Sequence, residues 1–440
     1  MKHRRWACWA RVDRLLRVGL AAALLLCAAA AATAQIVNVE RVSVLLDDSS
    51  AIPADTDARW AAASLPDSQD TNVAWYRVEF SLVAHEAENF WMLYLPYFYG
   101  GGRIWINGEP MAAVLENSAT LHVRWERPLL LPMPLSALRS GHNVLHLRVV
   151  SAHQPSGIKL PQLVVGAQRE LQTQFDRRLF LVRTVPLVTV LSGAAVGIGV
   201  IFIWLRRRQE VQYGLFGVAA LLWALRTTTF IFDALPASVW PLWRMLYHAS
   251  TGGFIIVLAL FVLSQAGWFR PRLAWALAAY GVLGPALYLL AGDSAEEIVG
   301  RWWVLGLVPV GLSVALVSFI TAWRQPGVGT VLIALAVLLA AAAGVHDYLV
   351  AWSSPTLEAL LPRWSGHRIF LLHHAANVLL VVMGALLTVR FVRSLHEVEE
   401  ANRWRCYPAC SATSAVDYGW RNGLCVCIDR IPMGLQRCRS

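Results

Sequence analysis

The chain has 440 residues, of which 57% are hydrophobic and 15% charged, and its mean hydropathy is +0.50. A soluble domain carries roughly 25% charged residues, so a single aqueous core cannot hide this much apolar surface, and a bilayer is the expected solvent for part of the chain. The net charge of +10 does not describe a basic face: residues 1–35 hold six Lys or Arg against Asp13, residues 403–440 hold six Arg against Asp417 and Asp429, and everything between carries only +1. That distribution argues against nucleic acid as a partner.

The first 34 residues read as a secretory signal peptide. A basic stretch from Lys2 to Arg17 precedes an apolar run from Val18 to Ala32, and Ala32-Thr33-Ala34 offers small residues before a cleavage point at Gln35. An uncleaved anchor helix is the alternative. Cys8 and Cys27 lie in this segment and the other five cysteines lie beyond residue 405. An exported domain between them must hold together without disulfides.

Residues 36–170 alternate short Val-, Ile- and aromatic-rich stretches with turn residues. Asn107-Gly108 follows Arg103-Ile104-Trp105-Ile106 and suits a tight hairpin, because both positions tolerate positive φ. Asn143 to Val149 alternates with period two. Such spacing predicts an extracytoplasmic antiparallel β-sandwich. Trp75, Trp91, Trp105 and Trp125 are its candidate sugar-stacking rings, or else core residues.

Residues 179–393 carry seven apolar runs, at about 181–204, 213–233, 242–264, 273–291, 302–323, 328–352 and 369–391, each near the ~20 residues that a span needs. With the sandwich outside, eight Arg fall on the inner side and four in the outer loops, as the positive-inside bias requires. Arg177, Arg178 and Arg183 run against it. Residues 394–402 read as the start of a cytoplasmic signalling helix, with Leu395, Val398 and Asn402 at heptad positions suited to a homodimer. Residues 403–440, rich in Cys and Arg, break that pattern and read as a disordered tail or a reading-frame slip; zinc there fits the cysteine spacing poorly.

This order of parts resembles the bacterial seven-transmembrane receptors with diverse intracellular signalling modules, some of which end in a histidine kinase. The residues that carry the resemblance are Trp75-Tyr76-Arg77, Trp91 to Pro96, Ile104 to Gly108, Leu138 to Leu145 and Gly344 to Tyr348. It covers about residues 36–402 and implies a multi-domain membrane protein: a jelly-roll, galactose-binding-like sandwich followed by an all-α seven-helix domain. It also implies a receptor in the bacterial inner membrane, its N-terminal domain periplasmic. That receptor would detect an extracytoplasmic small ligand, with carbohydrate a candidate, and pass the signal to an output module, here absent. His396-Glu397 lacks the following glycine-rich nucleotide box of a kinase, and no enzyme activity is expected. A transporter or permease, a membrane enzyme, and a sensor histidine kinase truncated by a frameshift are the rivals.

Polar residues inside the apolar runs are costly in hydrocarbon and so mark candidate sites. They are Arg226, His248, His346, Asp347, His373, His374 and Asn377. At ~1.5 Å per residue all seven fall within roughly 3–13 Å of the outer boundary, which predicts a polar, ligand-binding pocket open to the outside, with Asp347 placed to neutralise Arg226. Ordinary helix-to-helix hydrogen bonding is the competing explanation. Haem or metal between His248, His346 and His373 lacks ligand spacing on one helix, so no cofactor is expected.

Overall fold

The computed structural model describes residues 36–37, 39–82, 90–151, 157–352 and 370–411, with side chains described as far as Glu400. The expected signal peptide and most of the expected tail lie outside the described residues.

Among the described residues thirteen strands precede the first helix. They are β1 (Ile36–Val37), β2 (Val39–Leu45), β3 (Ala61–Ala63), β4 (Asp67–Gln69), β5 (Val73–Leu82), β6 (Trp91–Leu95) and β7 (Gly102–Ile106), then β8 (Glu109–Val114), β9 (Leu121–Val123), β10 (Leu129–Pro132), β11 (Gly141–Val150), β12 (Ile158–Leu160) and β13 (Val164–Ala167). A six-stranded sheet in the order β3-β2-β5-β11-β7-β8 faces a four-stranded sheet β1-β13-β6-β10 across a shared core, and every pair is antiparallel. These are β-sandwich-like sheets, as the alternating pattern predicts. The longest register joins β5 to β11, from Gly141 opposite Leu82 to Val150 opposite Val73. Tyr76, Phe80, Trp91, Leu93, Leu145 and Leu147 fill the space between the sheets.

Asn107 and Gly108 form the two-residue loop between β7 and β8 with φ of 51° and 87°. The Asn107 side chain does more than turn the chain. Its Nδ2 donates to Ala137 O (2.7 Å) and Asn143 Oδ1 (2.9 Å), and its Oδ1 accepts from the Val144 amide (2.9 Å). Fully buried Asn143 in turn closes the Arg139–Gly141 turn through Arg139 N (2.8 Å), Arg139 O (2.7 Å) and Gly141 O (2.9 Å). Two asparagines thus pin two turns to one another, with the buried amide of Asn143 satisfied.

The helices are α1 (Gln168–Arg206), α2 (Val211–Thr227), α3 (Trp240–Gln265), α4 (Pro271–Ala291), α5 (Val304–Arg324), α6 (Val328–Ala351) and α7 (Leu372–Ser411). Among the described residues six, α1 and α3–α7, are long and apolar enough to cross a membrane. The run expected as a second span stops early: α2 has 17 residues, and a 3₁₀ turn (Thr228–Phe230) and a short strand, β14 (Ala234–Pro236), follow it. The first helix starts well before the expected 181, because the polar turns after Gln168 pack Leu171 against Met92 and Tyr94 of the four-stranded sheet. Helix α7 continues through Arg403 to Ser411 instead of failing at 403. The chain divides within α7 into two units, Met1–Leu380 and Val381–Ser440.

The outer surface of the bundle is apolar, with Leu290 85%, Trp323 79% and Leu191 64% exposed. In water a patch of that extent is a liability; in lipid it is the ordinary outside of a span. Inside, α1 and α2 approach through Gly193, Gly197 and Gly217. A Cβ on Gly197 would stand 2.7 Å from Leu221, and one on Gly217 would stand 2.8 Å from Ile201. This is small-residue packing, the way helices associate where no water drives them together.

Candidate functional site

The site lies where loops of the sandwich meet the helices. Strand β14 sits in the connection between α2 and α3, yet it pairs antiparallel with β9: Ala234 opposite Val123, Leu235 opposite His122 and Pro236 opposite Leu121. The ribbon continues at both ends, from Arg124 N to Asp233 O (2.8 Å) and from Ala237 N to Thr120 O (3.0 Å). His122 stacks on Trp240 at the start of α3, with ring centroids 4.8 Å apart. Asp233 stands 3.6 Å from Arg127 and 3.4 Å from Arg183 of α1. Burial raises the Asp233 carboxyl above its usual range, with Arg127 and Arg183 opposing. Arg183 also donates to the carbonyls of Phe230 and Ile231, so this cation, which counts against the positive-inside bias, is bound to the end of the 3₁₀ turn that follows α2. Arg178 is likewise buried, its guanidinium 5.7 Å from the Tyr97 ring.

Beside this seam is a cavity of about 250 Å³, lined by α2, α3, α5 and α6, by Glu296 and by Tyr99 and Arg124 of the sandwich. Its end nearest the sandwich residues is polar. Arg244 makes a two-point ion pair with Glu296, Nε to Oε2 at 3.2 Å and Nη2 to Oε1. Burial works against the Glu296 charge, but the Arg244 ion pair opposes it and the carboxyl is held below its usual range. Arg226, 6% exposed, has no such partner among the described residues: its Nε and Nη1 make no hydrogen bond. Its guanidinium is instead held over the rings of Trp223 (4.7 Å), Tyr247 (5.7 Å) and Phe230 (6.0 Å). His248, 1% exposed, lies 3.8 Å from Glu296 Oε2, beyond hydrogen-bonding range, and neither ring nitrogen is satisfied. The deeper end is apolar, with Leu258, Leu307, Val314 and Val337 on its wall.

Of the seven residues expected to form a pocket, Arg226, His248 and Asp347 line this cavity and four do not. Asp347 does not neutralise Arg226. It accepts from the Leu371 and Leu372 amides (2.7 and 2.9 Å) and so caps the start of α7, where free N–H groups and the helix dipole favour a carboxylate. His346 Nδ1 lies 3.0 Å from Asp347 Oδ1, outside the lining. His373 occupies a separate small cleft with Glu126 and Phe230, and His374 packs on it with ring centroids 3.8 Å apart. Asn377 donates to Thr189 Oγ1 at 2.6 Å, an ordinary bond between helices. Among the described residues no three His, Cys, Asp or Glu side chains converge as a metal site would need.

Sequence reasoning missed Arg244, Glu296 and Tyr247. One signal was present: Trp240, Arg244 and His248 repeat every four residues and so share a face of α3. In the sandwich, Trp75 and Trp91 are core, 0% and 2% exposed. Trp125 gives its Nε1–H to Leu115 O (2.9 Å) and lies under Arg127 (4.6 Å). A sugar-stacking platform there is left with Trp105, itself stacked on Trp75 at 5.0 Å.

No protein-family model and no curated protein matches the chain. Among solved structures it is similar to a glycosyl hydrolase family 2 member from Bacteroides cellulosilyticus, at 17% identity over 29% of this chain and 20% of that one, TM-score 0.23. It is also similar to a β-glucuronidase of Bacteroides uniformis (16% identity, 29% and 17% covered, TM-score 0.24) and to one of Ruminococcus gnavus (13% identity, 31% and 30% covered, TM-score 0.23). The chain spans a fifth or less of the length of the first two, and likeness at this level carries nothing about substrate.

Proposed function

We propose that the chain is a membrane sensor: an extracytoplasmic, galactose-binding-like jelly roll and a helical bundle that together take up a small ligand and pass the event inward along α7. In this reading α2 is a seventh span, since 17 residues are the lower end of what crosses hydrocarbon. The bundle then has the order of parts of the seven-transmembrane receptors described above, in a bacterial inner membrane with the sandwich periplasmic. Leu395 and Val398, 39% and 58% exposed on α7, are the apolar positions through which two copies would pair.

The observation that carries the proposal is the β9–β14 ribbon beside a cavity walled by both the sandwich and the helices. A ligand that binds one arrangement of those walls better than another shifts the balance between them, and the ribbon ties any movement of β9 to the junction of α2 and α3.

The test uses the full chain in nanodiscs and compares wild type with Asp233→Ala, which removes the carboxylate between Arg127 and Arg183. Hydrogen exchange over residues 381–400 is expected to change although the β-sheet amides stay protected. Unchanged exchange in a folded variant would overturn the coupling. A second arm labels Ala119→Cys with an impermeant maleimide: reaction on intact spheroplasts supports a periplasmic sandwich, and reaction only after lysis refutes it.

A further inference from the structure

The geometry points to a ligand class for the cavity: small monocarboxylates with an apolar body, the carboxylate on Arg226 and the body in the pocket between α3, α5 and α6. This rests on the sensor reading in that the cavity is taken as the place where a ligand acts.

The head group follows from charge. Three cations line the cavity, and two have partners: Arg244 is paired with Glu296, and Arg124 with Glu126 outside the lining. Of the two anions in the lining, Glu296 is held by Arg244, and Asp347 is committed to the amides that begin α7. Among the described residues Arg226 is therefore the cation left without an anionic partner, its Nε and Nη1 unbonded at 6% exposure. An unpaired guanidinium buried in this way is costly, and a planar fork of donors fits a carboxylate at two points. The rings of Trp223, Tyr247 and Phe230 hold it in place without supplying an anion. His248, unsatisfied and 1% exposed in the same lining, adds one further donor once a ligand oxygen is present.

The body follows from shape. Beyond the polar end the lining turns to Leu258, Leu307, Val314 and Val337, and a Cβ built on Gly311 in this wall meets nothing within 4 Å. The volume, about 250 Å³, lies at the small end of ligand pockets. It suits an aromatic or short-chain acid taken from the aqueous side better than a diacyl lipid, although an anionic lipid would offer Arg226 the same charge.

Equilibrium dialysis of radiolabelled benzoate and hexanoate against the full chain in phosphatidylcholine nanodiscs, with empty nanodiscs subtracted, tests this. Saturable binding is expected, with benzyl alcohol and benzylamine at least about tenfold weaker as competitors, the loss that goes with a charge-assisted bond. Arg226→Gln should abolish the preference for acid over alcohol, and Arg226→Lys should retain part of it. Gly311→Leu, which fills the apolar end and leaves the charges alone, should weaken both acids about tenfold or more. If Arg226→Gln fails to fold, Arg226→Lys and Gly311→Leu still decide. Equal binding of acid and alcohol, no saturable binding of either acid, or an acid preference surviving in folded Arg226→Gln would overturn the proposal. So would an Arg226-dependent rise in melting temperature on adding phosphatidylglycerol without any benzoate binding, which would make the occupant a lipid. Failure here with altered exchange in Asp233→Ala would remove the ligand class and keep the sensor; benzoate binding with unaltered exchange would keep the site and remove the coupling.

Discussion

The sandwich and the bundle expose opposite things. Between the sheets the large buried side chains are Tyr76, Phe80, Trp91 and Leu93, while Arg77 and Arg103 reach outward to Asp55 and Glu116. In the bundle the buried set includes Arg226, Arg244, His248, Ser250, Thr251 and Asp347, while Leu290 and Trp323 face out. Water drives the first arrangement, because apolar surface is removed from it. Lipid gives no such drive, so the helices are held by close small-residue contacts and the costly polar groups collect inside. The buried side-chain amide of Asn143 in the sandwich is fully bonded, whereas Arg226 Nε and Nη1 and both ring nitrogens of His248 in the bundle find no partner among the described residues.

Removing a large ring that is buried on the other face of β5, away from the core between the sheets, is the strongest way to test the first half of that contrast. Trp75, fully buried, stacks on Trp105 and donates Nε1–H to Ser49 O at 3.1 Å. Trp75→Ala should cost about 3–5 kcal/mol, read as loss of the sandwich transition in thermal melts of the full chain while helical signal persists. The second test places the same charge on each exterior. Ser81 is exposed on β5, and Ile198, 63% exposed, lies about two turns inside the end of α1. Ser81→Asp should stay within about 0.5 kcal/mol, whereas Ile198→Asp should cost about 2.5–3.5 kcal/mol and reduce the membrane-inserted fraction. Equal tolerance at the two positions would mean that the exposed face of α1 does not meet lipid.

What the sequence made legible follows the same divide. Period-two alternation and the Asn107-Gly108 pair announced β7, β8 and β11 because each depends on neighbours a few residues away. The six long helices were legible from hydropathy alone. The β9–β14 ribbon was not: each strand has three residues, and β14 begins directly after a run that reads as a span. Its existence depends on where the sandwich sits, which no local pattern encodes. The candidate pocket was half legible for a related reason. Depth in the membrane can be counted from the sequence, and it brought Arg226, His248 and Asp347 into one layer. Partners cannot be counted: Glu296 reaches Arg244 from the connection between α4 and α5, and Asp347 is claimed by the first amides of α7. His373 and Asn377 face elsewhere, since rotation about a helix axis is set by packing.

A buried histidine in each region gives the last and smallest effect. His248 in the bundle lacks a hydrogen bond, while His146 in the sandwich, 4% exposed, has Nε2 3.0 Å from Asp55. Burial lowers the His146 imidazole below its ordinary value; Asp55 opposes this and the Arg77 guanidinium adds to it. The native state therefore releases the proton more readily than the unfolded chain does. Above the unfolded value, about 6.5, both states are neutral at this position and stability is at its plateau. Below it the unfolded chain binds the proton first, so stability falls as pH drops. The sandwich melting temperature should decline between about pH 7.5 and about pH 5, and His146→Gln should decline less over the same range, the difference between the two isolating this imidazole from other titrating groups. A wild-type profile no steeper than that of His146→Gln would show that Asp55 compensates for the burial, and that the sandwich can charge a buried histidine where a single acid stands at its edge.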